Sequence, residues 1–118
     1  FVAGKTLSSV YSNAYAVCLP SDLEGMSISL LEALSYSNAV LCSDIPENVA
    51  VCKDTALFFK KGDVNDLKEK LELLINDPGT VERLRKTAAE DVLSRFSWER
   101  TASETISYYK EILKGAAR

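Results

Sequence analysis

Histidine is absent from all 118 residues. That removes the usual general base for an activated serine or cysteine, and the commonest zinc ligand with it. Cysteine is scarce: Cys18, Cys42 and Cys52 are odd in number and show no CxxC spacing. Neither a disulfide framework nor a metal centre is expected from such a set. The three are read as free thiols packed like small apolar side chains, with Cys18 and Cys42 inside buried strands, in a reducing, cytoplasmic compartment. No run approaches the ~18 apolar residues of a membrane span, and no signal peptide is visible. A net charge of −3 offers no basic surface to nucleic acid. No repeat and no low-complexity tract interrupts the chain.

What is present reads as one small domain. The chain is 47% hydrophobic and 26% charged, an ordinary composition for a modest core. It starts at Phe1 without methionine, at what reads as the end of an element, and is expected to be a piece of a longer protein. Thr6 is placed as the cap of a helix carrying Leu7, Val10, Tyr11 and Ala14. Ala16 to Leu19, Ala39 to Cys42 and Ala56 to Phe59 are short apolar runs, as in a parallel sheet covered on both faces. Between them lie a helix from Ser27 to Tyr36 and a short one opened by Pro46. Three further helices follow. One carries Leu67, Leu71, Leu74 and Ile75 and stops at Asp77-Pro78-Gly79; the next carries Val81, Leu84, Ala88 and Val92; Ser97 caps the last, whose apolar side holds Trp98, Ala102, Tyr109, Ile112 and Leu113. Alternating strands and helices followed by terminal helices over 80–114 predict an α/β, Rossmann-like parallel sheet with flanking helices and a helical C-terminus.

The chemistry concentrates in Pro20-Ser21-Asp22-Leu23-Glu24-Gly25-Met26-Ser27-Ile28, which joins the first strand to its helix. Ligands of open parallel sheets bind beyond the carboxyl ends of strands, where such a loop lies. The helix start presents unpaired N–H groups and a positive dipole end to an anion. Gly25 leaves their approach unobstructed. A second carboxylate, Glu32, lies roughly 8 Å along the helix from its start. Its neighbours Ile28, Leu30, Leu31, Ala33 and Leu34 make the helix apolar almost all round, with Ser29, Glu32 and Tyr36 as one polar stripe. Acid, amides, acid is a layout that suits sugar, diphosphate and ribose. Neither Ser27 nor Ser29 has a neighbouring base, so a serine nucleophile is excluded. Lys60 and Lys61 are read as solvated.

Glu24-Gly25 followed by Leu31-Glu32-Ala33, with the glutamates separated by seven residues, resembles the signature of the group 1 retaining glycosyltransferases of the two-domain GT-B fold. The resemblance extends through Phe1 to Gly4, Leu7 to Ala14, Pro20-Ser21, Ser43 to Glu47 and Phe96-Ser97-Trp98. It implies that residues 1–118 are part of the C-terminal, nucleotide-sugar-binding domain. It implies Glu24 as the catalytic residue that holds the donor sugar's hydroxyls, and the amides of Met26, Ser27 and Ile28 after Gly25 as contacts for the diphosphate. Glu32 is implied as the ribose ligand. No metal and no cofactor is implied beyond the nucleotide diphosphate-sugar substrate. The implied partners are an N-terminal acceptor domain of the same protein, peripheral membrane contact of that protein in polysaccharide synthesis, and, for this piece alone, self-association through exposed apolar surface. The isolated piece is expected to be inactive. Ser21 stands either as a turn residue or as a ligand contact; Asp44 and Glu47 are read as capping or electrostatic, and Phe96 and Trp98 as core. Ser37 replaces the glycine usual in the family after the long helix, and Asn38 is expected to take the left-handed conformation there. Two alternatives stay open: a nucleotide-sugar epimerase of the same fold, and a non-catalytic interaction module.

Overall fold

The computed structural model describes residues 1–116. In chain order it contains α1 (Gly4–Asn13), β1 (Val17–Leu19), α2 (Ile28–Ser35), β2 (Val40–Ser43), α3 (Pro46–Cys52), β3 (Ala56–Phe59), α4 (Val64–Asn76), α5 (Pro78–Arg95) and α6 (Trp98–Ala116). The three strands form one parallel sheet in the order β1-β2-β3. Val17 faces Val40 across the first pair, and Val40 faces Ala56 across the second.

Alternation along the central strand divides the core in two. Val40 and Cys42 pack with Leu30, Ala33 and Leu34 of α2, Val51 and Cys52 of α3, and Ala88 and Val92 of α5. Ala39 and Leu41 pack with Phe59, Leu74 of α4, and Val81 and Leu84 of α5. The 18-residue α5 thus contributes its first half to one cluster and its second half to the other. Side chains tie the layers at their ends. Tyr15 Oη donates to the Leu74 carbonyl over 2.8 Å, and Arg85 donates to the carbonyls of Ala14 and Tyr15.

Five expectations need correction. First, α1 starts at Gly4 with Ala3 at its N-cap and no side-chain cap bond, so Thr6 lies inside the first turn. Second, only β2 is buried throughout; Cys18 is exposed, on an edge strand of the sheet. Third, Ile28 is exposed: α2 turns Leu30, Ala33 and Leu34 to the sheet, and Ile28, two residues before Leu30, falls on the opposite side. Fourth, Ser37 itself takes the left-handed conformation, at φ 57°. Asn38 N–H then reaches the Ala33 carbonyl over 3.2 Å and Ser37 N–H the Leu34 carbonyl over 2.9 Å, the paired bonds of a Schellman ending. The Asn38 side chain adds a second bond to the Ala33 carbonyl, so it stays buried and satisfied. Fifth, Phe96 joins the core, but Trp98 is 83% exposed, because α6 leaves the body of the domain at that residue.

Candidate functional site

The loop from Pro20 to Ser27 leaves the carboxyl end of β1 and delivers the chain to α2. Ser27 caps that helix: its hydroxyl accepts from Leu30 N–H over 3.4 Å. The backbone N–H groups of Met26, Ser27 and Ile28 donate to nothing among the described residues. Nothing lies within 4 Å of where a Gly25 side chain would begin, and Gly25 does not sit at positive φ. The fold therefore does not demand glycine there, and the space where its side chain would begin is open. Around the loop, Leu23 and Met26 are exposed apolar residues.

Glu24 is half-buried, and its orientation is set by one contact: Ser21 Oγ donates to Glu24 Oε1 over 2.6 Å. Ser21 is held in turn by the end of β2. Ser43 Oγ donates to the Ser21 carbonyl over 2.5 Å and accepts from Ser21 N–H over 3.2 Å. Behind Ser43, Asn48 of α3 donates to its carbonyl over 3.1 Å and to its hydroxyl over 3.3 Å.

Glu32 lies half-buried on α2, and its carboxylate has no hydrogen-bond or ion-pair partner among the described residues. Tyr11 of α1 stands near it. Burial first, and the negative charge of Glu32 second, push the Tyr11 phenol above its ordinary value of 10.0. Tyr11 therefore stays protonated at neutral pH. It donates to the Ser29 carbonyl over 3.4 Å, and its ring stacks on Tyr36 with centroids 5.6 Å apart. The polar stripe of α2, which includes Tyr36, thus adjoins Tyr11 of α1, a residue that sequence pattern placed only on the apolar side of its helix.

A groove of about 170 Å³ opens at the carboxyl ends of all three strands. Ser21, Ser43 and Phe59 line it, with Gly62, Asp63 and Val64 on the far wall. Neither Glu24 nor Glu32 lines this groove; Ser21 is the link between it and the acidic loop. Asp44 accepts from Lys61 N–H over 2.8 Å and Asp66 from Lys60 N–H over 2.6 Å, so both acids tie down the β3–α4 turn. Glu47 sits in the first turn of α3. No group of three or more His, Cys, Asp or Glu that could hold a metal ion occurs among the described residues. Cys42 and Cys52 are buried with their sulfurs 4.0 Å apart, and the Cys52 contact and burial push the Cys42 thiol far above its ordinary range. No helix among the described residues is long and apolar enough to cross a membrane.

A three-stranded parallel sheet with flanking helices, and an acid-bearing loop at the carboxyl end of its first strand, define an α/β domain of Rossmann-like type. Residues 1–91 match the family described as Glycosyl transferases group 1, and the chain belongs to that family. It is 25% identical over 98% of its length to an MMP alpha-(1->4)-mannosyltransferase of Mycolicibacterium hassiacum. It is 31% identical over 88% of its length to a D-inositol 3-phosphate glycosyltransferase of Kribbella flavida. The fold matches that of sucrose-phosphate synthase from Thermosynechococcus elongatus at a TM-score of 0.84, with 24% identity, over 93% of this chain and 28% of that one. This chain spans 29% and 25% of the two curated relatives, and corresponds to part of the C-terminal, GT-B-type domain of larger proteins.

Proposed function

We propose that this chain forms the donor side of a retaining glycosyltransferase that moves a sugar from a nucleotide diphosphate-sugar to an acceptor hydroxyl. Glu24 receives hydrogen bonds from the hydroxyls of the donor sugar. The amides of Met26, Ser27 and Ile28 donate to the diphosphate, where negative charge grows as the bond to the anomeric carbon breaks. Fixed donors aimed at developing charge are the electrostatic mode that usually contributes most to such a step. Glu32 accepts from the ribose hydroxyls.

The observation that carries this reading is the pairing of two differently held acids with one set of free amides. Glu24 is oriented by Ser21, whereas Glu32 is unpartnered among the described residues on a helix whose other side is core. A half-buried carboxylate without a partner forgoes interaction that a ligand's hydroxyls would supply. The acceptor domain and the remainder of the donor domain belong to the complete enzyme, as the length of the relatives suggests. The edge of β1 and the exposed stripe of α6 are the surfaces on which those parts would rest.

Steady-state kinetics of the complete enzyme test the roles separately. Glu24→Ala should lower kcat for sugar transfer by about a hundredfold or more, the scale of one lost transition-state contact. Glu32→Ala should chiefly raise KM for the nucleotide-sugar. Transfer at the unaltered rate by both variants would leave the glutamates as surface residues and turn the domain into an interaction module.

A further inference from the structure

Locally, the loop that carries Glu24 makes a backbone bond from Ser21 N–H to the Leu19 carbonyl over 3.2 Å, and that N–H is shared. Its distant anchor is Ser43, 22 residues away at the end of β2. A serine hydroxyl has one proton to give and two lone pairs to receive with. In Ser43 all three are used: the proton goes to the Ser21 carbonyl, and the lone pairs take Ser21 N–H and Asn48 Nδ2. The hydroxyl therefore has no freedom to rotate, and it closes on both backbone groups of Ser21. Ser21 is left with its own hydroxyl as the one adjustable group, and that hydroxyl points at Glu24.

Asn48 strengthens the case. Ser43 and Asn48 are each 1% exposed. The Asn48 Oδ1 atom has no partner among the described residues, although it is buried. A buried carbonyl left unpaired costs stability, so this asparagine is a poor choice for packing alone. What it supplies is its Nδ2 group, which locks Ser43.

We propose that Ser43, with Asn48 behind it, is a positioning residue for Glu24. The inference rests on the donor-site reading of Glu24 given above. Ser43 touches no substrate in this scheme; it sets the angle at which Ser21 presents the Glu24 carboxylate to the donor sugar. A displacement of about 1 Å at a reacting centre can cost a hundredfold in rate, so the anchor should be visible in turnover.

The test is made in the complete enzyme with Ser43→Ala, Ser43→Thr, Ser21→Ala and Glu24→Ala. Ser43→Ala should lower kcat by about ten- to a hundredfold, while affinity for the nucleoside diphosphate alone changes less than about twofold. Ser43→Thr, which keeps the hydroxyl, should restore most of the turnover. Added to Glu24→Ala, Ser43→Ala should have no further effect, because residues that act through one another are not additive. If Ser43→Ala does not fold, Ser21→Ala, at a half-buried position, carries the same prediction.

Full turnover by Ser43→Ala or Ser21→Ala, beside a crippled Glu24→Ala, overturns the positioning role and leaves the donor site standing. Loss of nucleoside diphosphate binding in parallel with turnover also overturns it, since that reports a general collapse of the loop. Full turnover by Glu24→Ala removes the donor-site reading itself, and the inference with it.

Discussion

Lys53 closes α3 at φ 48° and ψ −114°, a backbone conformation that side chains rarely adopt. Conformations of this kind cost of order 1–3 kcal/mol in a residue other than glycine. Lys53→Gly should therefore stabilise the chain by about 1 kcal/mol after the extra unfolded-state entropy of glycine is subtracted. Urea denaturation would show a raised midpoint at unchanged slope. Ser37 is a milder instance, since its left-handed conformation is supported by the bonds of Ser37 and Asn38 back into α2. At this scale the sequence was informative about types and poor about partners. Glu24, Gly25 and Glu32 are singled out by their resemblance to a family signature and by their place between a strand and a helix, not by spacing alone. The bond from Ser21 to Glu24 spans three residues and fits the reading of Ser21 as a turn residue. The anchor at Ser43 joins segments 22 residues apart through a hydroxyl, and no local pattern encodes that.

Helices α4 and α5 meet at Asp77, which ends the first and caps the second. Its carboxylate accepts from Thr80 N–H over 3.3 Å and from Thr80 Oγ1 over 2.8 Å. These bonds favour the ionised form and hold the Asp77 pKa below its ordinary 3.8. A group depressed in this way contributes stability that is complete above 3.8 and fades as pH falls through its lower folded value. Asp77→Ala should lower Tm at pH 7, and the gap to the parent chain should narrow in thermal melts taken below pH 3.8. The elements themselves were largely legible. Val81, Leu84, Ala88 and Val92, chosen by period, are the buried residues of α5. The miss at α1 has a physical cause: its N-cap is Ala3, whose side chain cannot accept a bond, so nothing in the sequence marks the start. The misses at Cys18 and Ile28 share another. Apolar runs do not tell an edge strand from a central one, or a half-covered helix from an enclosed one.

The whole molecule measures 63 × 31 × 29 Å with a radius of gyration of 17.3 Å. A compact chain of this length has about 13.5 Å. The difference is α6, roughly 28 Å long, with every described side chain from Trp98 to Gly115 exposed. Trp98, Ala102, Tyr109, Ile112 and Leu113 give it an apolar side that the sequence signalled by period, yet none of them is buried. Ending the chain after Ser97 should shift the stability of the remaining domain by less than about 1 kcal/mol, and limited proteolysis of the intact chain should cut within 98–115 before it cuts the sheet. A loss of cooperative unfolding on that truncation would show that α6 contributes to the core. The central claim concerns the donor site, and one measurement reaches it most directly: calorimetric titration of the complete enzyme with UDP, GDP and ADP, repeated with Glu32→Ala. If Glu32 holds the ribose, one of the three nucleotides binds, and the substitution weakens it by about tenfold, the scale of a lost hydrogen bond to a charged group. Binding of the same nucleotide with undiminished affinity by the variant, or binding of none by a folded enzyme, would contradict it.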